Sequence, residues 1–306
     1  MASAPGYFED ANARRASQSA AVGDRARPVS THAEFDAALA FANDRGALTI
    51  VEIFSTRECE LGEGAYNAHE TPVFEDRQRA HLALMEPCRK LRSTITRVAR
   101  DAPGVEFVLI DADESAETSQ LAASLGATIF PTVQFWKGNE LLYQVNGASG
   151  AERAVAEGSL FLGDSMAGGR DVTELVETVA SRADLDDLLA RCSMPGKGPR
   201  GVPIDVPCEK QLCVLDVSLA KNHPECMHIF PAVVALAKNT QGAVRWGRLL
   251  GDMGTDATAL ITALKVDTVP TFIIFHDGIE VRYVSNVSDS ALCLCTRANK
   301  SATIPA

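Results

Sequence analysis

No two cysteines in this sequence have the Cys-x-x-Cys spacing of a zinc site or a dithiol redox centre. Eight cysteines in 306 residues are also too sparse for a small secreted disulfide scaffold. Long apolar runs are missing: none approaches the roughly 20 residues that span a bilayer, so membrane insertion is not expected. Positive charge is short too, with 29 Lys and Arg against 40 Asp and Glu, a net charge of −11. That balance argues against nucleic acid and anionic lipid as partners, since both call for basic stripes.

What the chain does have is a repeat. Thr128-Ile-Phe-Pro-Thr-Val-Gln-Phe-Trp-Lys-Gly138 is echoed by Thr268-Val-Pro-Thr-Phe-Ile-Ile-Phe-His-Asp-Gly278. Each copy is an apolar approach, Pro-Thr, a run of β-formers and a Gly turn. Proline lacks a ladder donor and belongs at a strand mouth, where a cis peptide is also used, so Phe130–Pro131 and Val269–Pro270 are the expected cis bonds. A cysteine opens a helical pattern 43 residues before Pro131 (Cys88) and 44 before Pro270 (Cys226). Two chemically matched landmarks at one spacing mark a duplicated unit. Length agrees, since 306 residues favour two domains.

Between the landmarks, strands alternate with helices and each unit ends in a hairpin, which predicts a mixed sheet covered on both faces. In the first unit the expected elements are a capped helix from Ser30, a strand over Leu48–Ser55, helix Pro87–Arg100, strand Val105–Asp111 and helix Ser119–Leu125. The proline strand and Leu141–Asn146 close it. In the second they are a weak strand at Val176, helix Ser181–Ala190 and strand Gln211–Leu219. Helix Cys226–Ala237, strand Val244–Asp252, helix Ala257–Leu264 and the second proline strand with Val281–Ser285 complete it. Two stretches lack this order. One is Arg57–Leu84, with a short helix expected over Val73–Leu84. The other is the Pro- and Gly-rich Cys192–Cys208 loop; loops of that length are usually functional or mobile. Both are candidate partner-contact surfaces. Cys59, His69, His81 and Cys88 fit no metal-ligand spacing, and no metal or cofactor is expected.

A helix-opening Cys, a strand ending in Asp, and an apolar-Pro-Thr strand closed by Gly resemble the thioredoxin superfamily. Two such modules in one chain resemble the double-thioredoxin proteins of plant plastids, on text that includes Val105–Leu109, Gly163–Ser165, Val214–Val217 and Val269–Phe272. The likeness covers about residues 29 to 288. It implies an α/β chain of two tandem thioredoxin-like domains, mixed sheets flanked by helices. The expected division is an irregular arm at 1–28, domain 1 at 29–156 with an insertion at 57–84, a connector at 157–171, and domain 2 at 172–306 with the loop 192–208. The N-terminal arm has four Arg and many Ala and Ser, but Glu9, Asp10 and Asp24 are wrong for a transit peptide. The resemblance implies the plastid stroma.

A dithiol reductase needs an exposed nucleophilic thiol at a helix N-terminus and a second thiol that resolves the mixed disulfide. The second module reads His223-Pro-Glu-Cys226, with His at the attacking position. By resemblance Cys226 is the resolving thiol, Asp216 the buried acid and Arg248 its basic partner; a retained packing motif without turnover is the other reading. The first module reads Met85-Glu-Pro-Cys88, yet Cys59 falls seven residues after Glu52, close to where a first active-site Cys belongs. Either the insertion splits the motif and leaves Cys59 as nucleophile beside Cys88, or the two thiols are unrelated. By resemblance Glu52 is the buried acid that moves protons between the thiols; an edge-facing or solvated Glu is the other reading. Two functions are compatible with these motifs. One is a redox protein with degenerate sites and weak or no dithiol reductase activity, engaging peroxide-defence thiol proteins. The other is a non-catalytic subunit of a plastid complex that keeps the proline groove, at Phe130, Pro131, Val269 and Pro270, for an extended partner strand.

Overall fold

The computed structural model describes residues 26–57, 59, 86–163, 171–192 and 212–285. The chain divides into two compact units, Met1–Ser165 and Met166–Ala306, taken in turn as module 1 and module 2.

Module 1 runs β1 (Ala26–Pro28), α1 (His32–Asp44), β2 (Leu48–Phe54), α2 (Glu86–Asp101), β3 (Val105–Asp111), α3 (Ala116–Ser124), β4 (Thr132–Lys137), β5 (Glu140–Asn146) and α4 (Ala151–Leu162). Its sheet has the order β1-β3-β2-β4-β5, parallel from β1 through β2 and antiparallel from there to β5. β2 is buried along nearly its whole length, as its almost continuous apolar sequence demands of a central strand. Alternation along it decides what each face meets. Val51 and Ile53 enter a core with Phe35 and Leu39 of α1, Val108 and Ile110 of β3, and Leu121 of α3. Glu52 and Phe54 therefore point the other way. Thr31 starts α1 with a capping box to Glu34, and Ser115 starts α3 with one to Thr118, each satisfying helix-end donors that would otherwise be orphaned.

Module 2 repeats the plan. A 3-10 turn, Val172–Glu174, leads into β6 (Val176–Thr178), α5 (Arg182–Cys192), β7 (Leu212–Ser218), α6 (Pro224–Asn239), β8 (Val244–Leu250), α7 (Thr255–Ala263), β9 (Thr271–His276) and β10 (Ile279–Ser285). Its sheet reads β6-β8-β7-β9-β10 with the same parallel and antiparallel pairs. Cys213, Leu215 and Val217 of β7 enter a core with Leu185 and Leu188 of α5 and Leu260 of α7. Asp216 and Ser218 lie on the opposite face. This is an α/β chain of two mixed five-stranded sheets flanked by helices.

Two expected boundaries move. The arm assigned to 1–28 is not irregular to its end, because Ala26–Pro28 pairs in parallel with Phe107–Leu109 at the sheet edge. The connector assigned to 157–171 begins as the second half of α4, whose Ala154, Val155, Phe161 and Leu162 are buried. Gly158 lowers the helical signal there, since Gly in a helix costs about 1 kcal/mol against Ala. The fold needs it: a Cβ at Gly158 would sit 2.5 Å from Cε1 of Phe135 on β4. Helix α6 also continues through Pro231 and begins at Pro224, where a missing N–H costs nothing. Nearly all of the insertion, including His69, His81 and the helix expected over 73–84, lies outside the described residues, as does the loop from 193 to 211.

Candidate redox site

In module 1, Cys59 and Cys88 are joined by a disulfide with their Cα atoms 6.3 Å apart. Cys88 is the third residue of α2 and is 8% exposed, while Cys59 is half-buried. The chain thus leaves the sheet after β2 and enters α2 beside that exit. Asp113, two residues beyond β3, fixes that exit. Its Oδ2 accepts from the Ser55 hydroxyl and the Thr56 amide at 2.8 Å each, from the Thr56 hydroxyl at 3.1 Å and from the Arg57 amide at 3.2 Å. These bonds, the Ser55 one foremost, hold its carboxyl below the usual range.

Beneath the disulfide helix lies Glu52, 2% exposed at the middle of β2. Its Oε2 meets Nε of Arg92, one turn past Cys88 on α2, at 2.8 Å. The contact is an ion pair rather than an aligned hydrogen bond, and the Arg92 guanidinium is also stacked 4.2 Å from the centre of the Phe54 ring. Burial outweighs the Arg92 charge and raises the Glu52 carboxyl to about 7. A carboxyl poised there can hold or yield a proton at neutral pH.

Module 2 keeps the positions and changes the groups. Register equates Asp216 with Glu52, since Asp216 pairs Phe272 and Arg248 where Glu52 pairs Val133 and Leu109. Asp216 is fully buried, and burial raises its carboxyl to about 6 against a hydrogen bond from Ser218 and the charge of Arg248. Ser218 Oγ donates to Asp216 Oδ1 at 2.7 Å and also contacts the Cys226 thiol. Arg248 lies 4.6 Å from the centre of the Phe230 ring of α6. Cys226 is the third residue of α6, with no exposure, and burial pushes its thiol up to about 12. His223, three residues before Cys226, meets Glu225, Nδ1 to Oε1, at 2.7 Å. Asp252 anchors the exit of β7 as Asp113 does that of β2, accepting from the Ala220 and Lys221 amides at 2.8 Å each.

Cys192 and Cys213 meet on the far face of the β7 sheet, hydrogen-bonded to each other and buried, and Cys226 is free of both. The peptide bonds Phe130–Pro131 and Val269–Pro270 are cis. The threonine after each proline donates to the carbonyl three residues back, Thr132 to Ile129 at 2.7 Å and Thr271 to Thr268 at 2.6 Å. Sequence reasoning misses Arg92, Phe54, Ser218, Phe230 and the two anchoring aspartates. Only Arg92 carries a local signal, a cation four residues from Cys88 on one helix.

With this geometry established, the chain can be set beside known proteins. No family model matches it. Over 198 residues, 64% of this chain, it is 26% identical to thioredoxin-like protein CDSP32, chloroplastic, of Arabidopsis thaliana. The chain is thioredoxin-like. The match spans 58% of that relative's length. Among solved structures, oxidised thioredoxin O2 of Arabidopsis thaliana is 20% identical, covering 44% of this chain and 94% of its own at a TM-score of 0.30. Fasciola hepatica thioredoxin is 21% identical, covering 44% and 96% at a TM-score of 0.31. Among the described residues of this thioredoxin-like chain, no helix is long and apolar enough to cross a membrane.

Proposed function

We propose that this chain is a plastid redox protein in which module 1 exchanges thiols and module 2 only binds. The observation that carries this reading is the Cys59–Cys88 disulfide at the start of α2. In the reduced protein, Cys59, the more accessible thiol, attacks a partner disulfide as thiolate. The partner's leaving sulfur departs with the electron pair and takes up a proton. Cys88 then gives its proton to Glu52 and attacks the Cys59 sulfur, releasing the second partner thiol and closing the Cys59–Cys88 bond. A dithiol reductant returns the cycle to its start. Turnover is slow, because Cys88 is largely buried and Glu52 is held by Arg92.

Module 2 lacks the means for such a cycle: a lone thiol with no exposure and a pKa near 12 is a poor nucleophile at neutral pH. It retains the approach to Val269 and Pro270 as a groove for an extended protein segment, as module 1 does at Phe130 and Pro131. The chloroplast destination printed for the Arabidopsis relative supports a plastid, and by extension stromal, location, with peroxide-defence thiol proteins as partners. A purely scaffolding role is the second reading, favoured by the burial of Cys226. Insulin-disulfide reduction driven by dithiothreitol separates them. Slow activity lost in Cys59→Ser and kept in Cys226→Ser is expected. Equal rates in wild type and Cys59→Ser leave the scaffold.

A further inference from the structure

The acidic balance of the whole chain conceals one strongly basic element. Between Pro87 and Arg100, helix α2 carries Arg89, Lys90, Arg92, Arg97 and Arg100 and no acid. Helical spacing sorts them. Cys88, Leu91, Ile95 and Ala99 are buried, while Arg89, Ser93, Arg97 and Arg100 are exposed on the other side. Arg89, Arg92, Ser93, Thr96, Arg97 and Arg100 line a cavity of about 550 Å³. Module 2 does without most of these charges. Aligning Cys88 with Cys226 sets Arg89, Arg92, Thr96 and Arg97 against Met227, Phe230, Val234 and Ala235 of α6. Only the last, Arg100 against Lys238, keeps its sign.

We propose that this face of α2 docks a carboxylate-rich segment of a partner protein, adjacent to the disulfide or thiol that the partner presents to Cys59. The proposal rests on the exchange reading above. Three features favour a protein carboxylate as the occupant. The guanidiniums are spread along about 16 Å of helix between residues 89 and 100, the length of a peptide segment rather than of one small anion. Each fork takes a carboxylate in two parallel bonds. The row also begins in the first turn of α2, the turn that carries Cys88 and its bond to Cys59.

The test uses reduced full-length protein and synthetic peptides closed by one disulfide, flanked either by four Glu or by four Gln. Hydroxyethyl disulfide serves as a substrate with no charge. At low salt the Glu-flanked peptide is expected to show about tenfold higher kcat/KM than the Gln-flanked one, a difference that disappears at high salt. The triple variant R89Q/R97Q/R100Q should lose the preference while reducing hydroxyethyl disulfide normally, and R89K/R97K/R100K, which keeps the charge but not the fork, should retain part of it. Arg92 is left intact because it holds Glu52. Equal rates for the two peptides in wild type, or an undiminished preference in the glutamine variant, overturn the proposal. Should no disulfide be reduced, the exchange reading fails and docking is read by fluorescence anisotropy of the two peptides on the oxidised protein. Tighter binding of the Glu-flanked peptide, lost in the glutamine variant, supports docking. Indifferent binding, or displacement by inorganic phosphate of both peptides alike, marks a small-anion site and ends it.

Discussion

In module 1 the buried acid is Glu52 and its cation, Arg92, arrives from helix α2; in module 2 the acid is Asp216 and the cation, Arg248, comes from the neighbouring strand β8. The exchange is reciprocal. Arg92 and Phe230 each stand four residues past the helix-opening cysteine, and Leu109 and Arg248 each face the acid in register. Cation and apolar group have traded places. The ring that supports the cation moves with it, from Phe54 on the strand to Phe230 on the helix. A buried carboxylate needs a nearby positive charge, yet either neighbouring element can supply it. The consequences for the thiols differ. In module 1 the strand position two past the acid holds Phe54; in module 2 it holds Ser218, which links Asp216 to Cys226.

The largest expected difference between the modules is covalent. Opening the Cys59–Cys88 bond, by reduction or by Cys59→Ser, frees a loop of 29-residue separation. In the chain-entropy picture this lowers the stability of module 1 by about 3–4 kcal/mol. Module 2 should not respond, and urea unfolding followed at Trp136 for module 1 and Trp246 for module 2 reads the two separately. A shift of both transitions would mean that the modules unfold as one.

Acidity comes next. Glu52 is raised from 4.5 to about 7 and Asp216 from 3.8 to about 6. A raised carboxyl binds its proton more tightly folded than unfolded. Its contribution is therefore complete below the unfolded value and is lost as pH climbs through the folded one. Module 1 should weaken between about pH 4.5 and 7 and module 2 between about 3.8 and 6. Each loss is about 3 kcal/mol at most. Glu52→Gln should flatten the first profile and Asp216→Asn the second. A profile unaltered by its own variant would show that the carboxyl is not the titrating group.

The trade of partners can itself be broken. Arg92→Phe alone should cost module 1 about 1–2 kcal/mol at neutral pH and raise the Glu52 pKa further. Adding Leu109→Arg, which copies the module 2 arrangement, should recover part of both. If the double variant is no better than the single one, the two arrangements are not interchangeable. The smallest effect concerns the anchors. Asp113→Ala and Asp252→Ala should each cost about 1 kcal/mol, but only Asp113→Ala should shift the glutathione-dependent equilibrium of the Cys59–Cys88 bond, several-fold towards the thiols.

Much of the architecture is written locally. The Pro-Thr strand entries, the Gly turns and the period-two runs place both sheets, because each depends on residues adjacent in sequence. Counting from Glu52 brings Cys59 to the mouth of α2 for the same reason, once the chain is taken to leave and return at one point. Helix α4 is harder to read, since Gly158 looks like a connector residue until the Phe135 ring beneath it is known. Arg92 and Asp113 are harder still. Arg92 acquires its meaning from Glu52, 40 residues away, and Asp113 from Ser55, 58 residues away. A net charge of −11 likewise describes the whole chain and hides the basic face of α2.

The Cys59–Cys88 bond closes a covalent ring in the backbone. A protease that cuts once between residues 59 and 88 leaves a single molecule as long as that bond is intact, and two fragments when it is open. The same nick is silent in an oxidised compartment and lethal to the chain in a reducing one. Redox state would then set the lifetime of the cut protein as well as its chemistry.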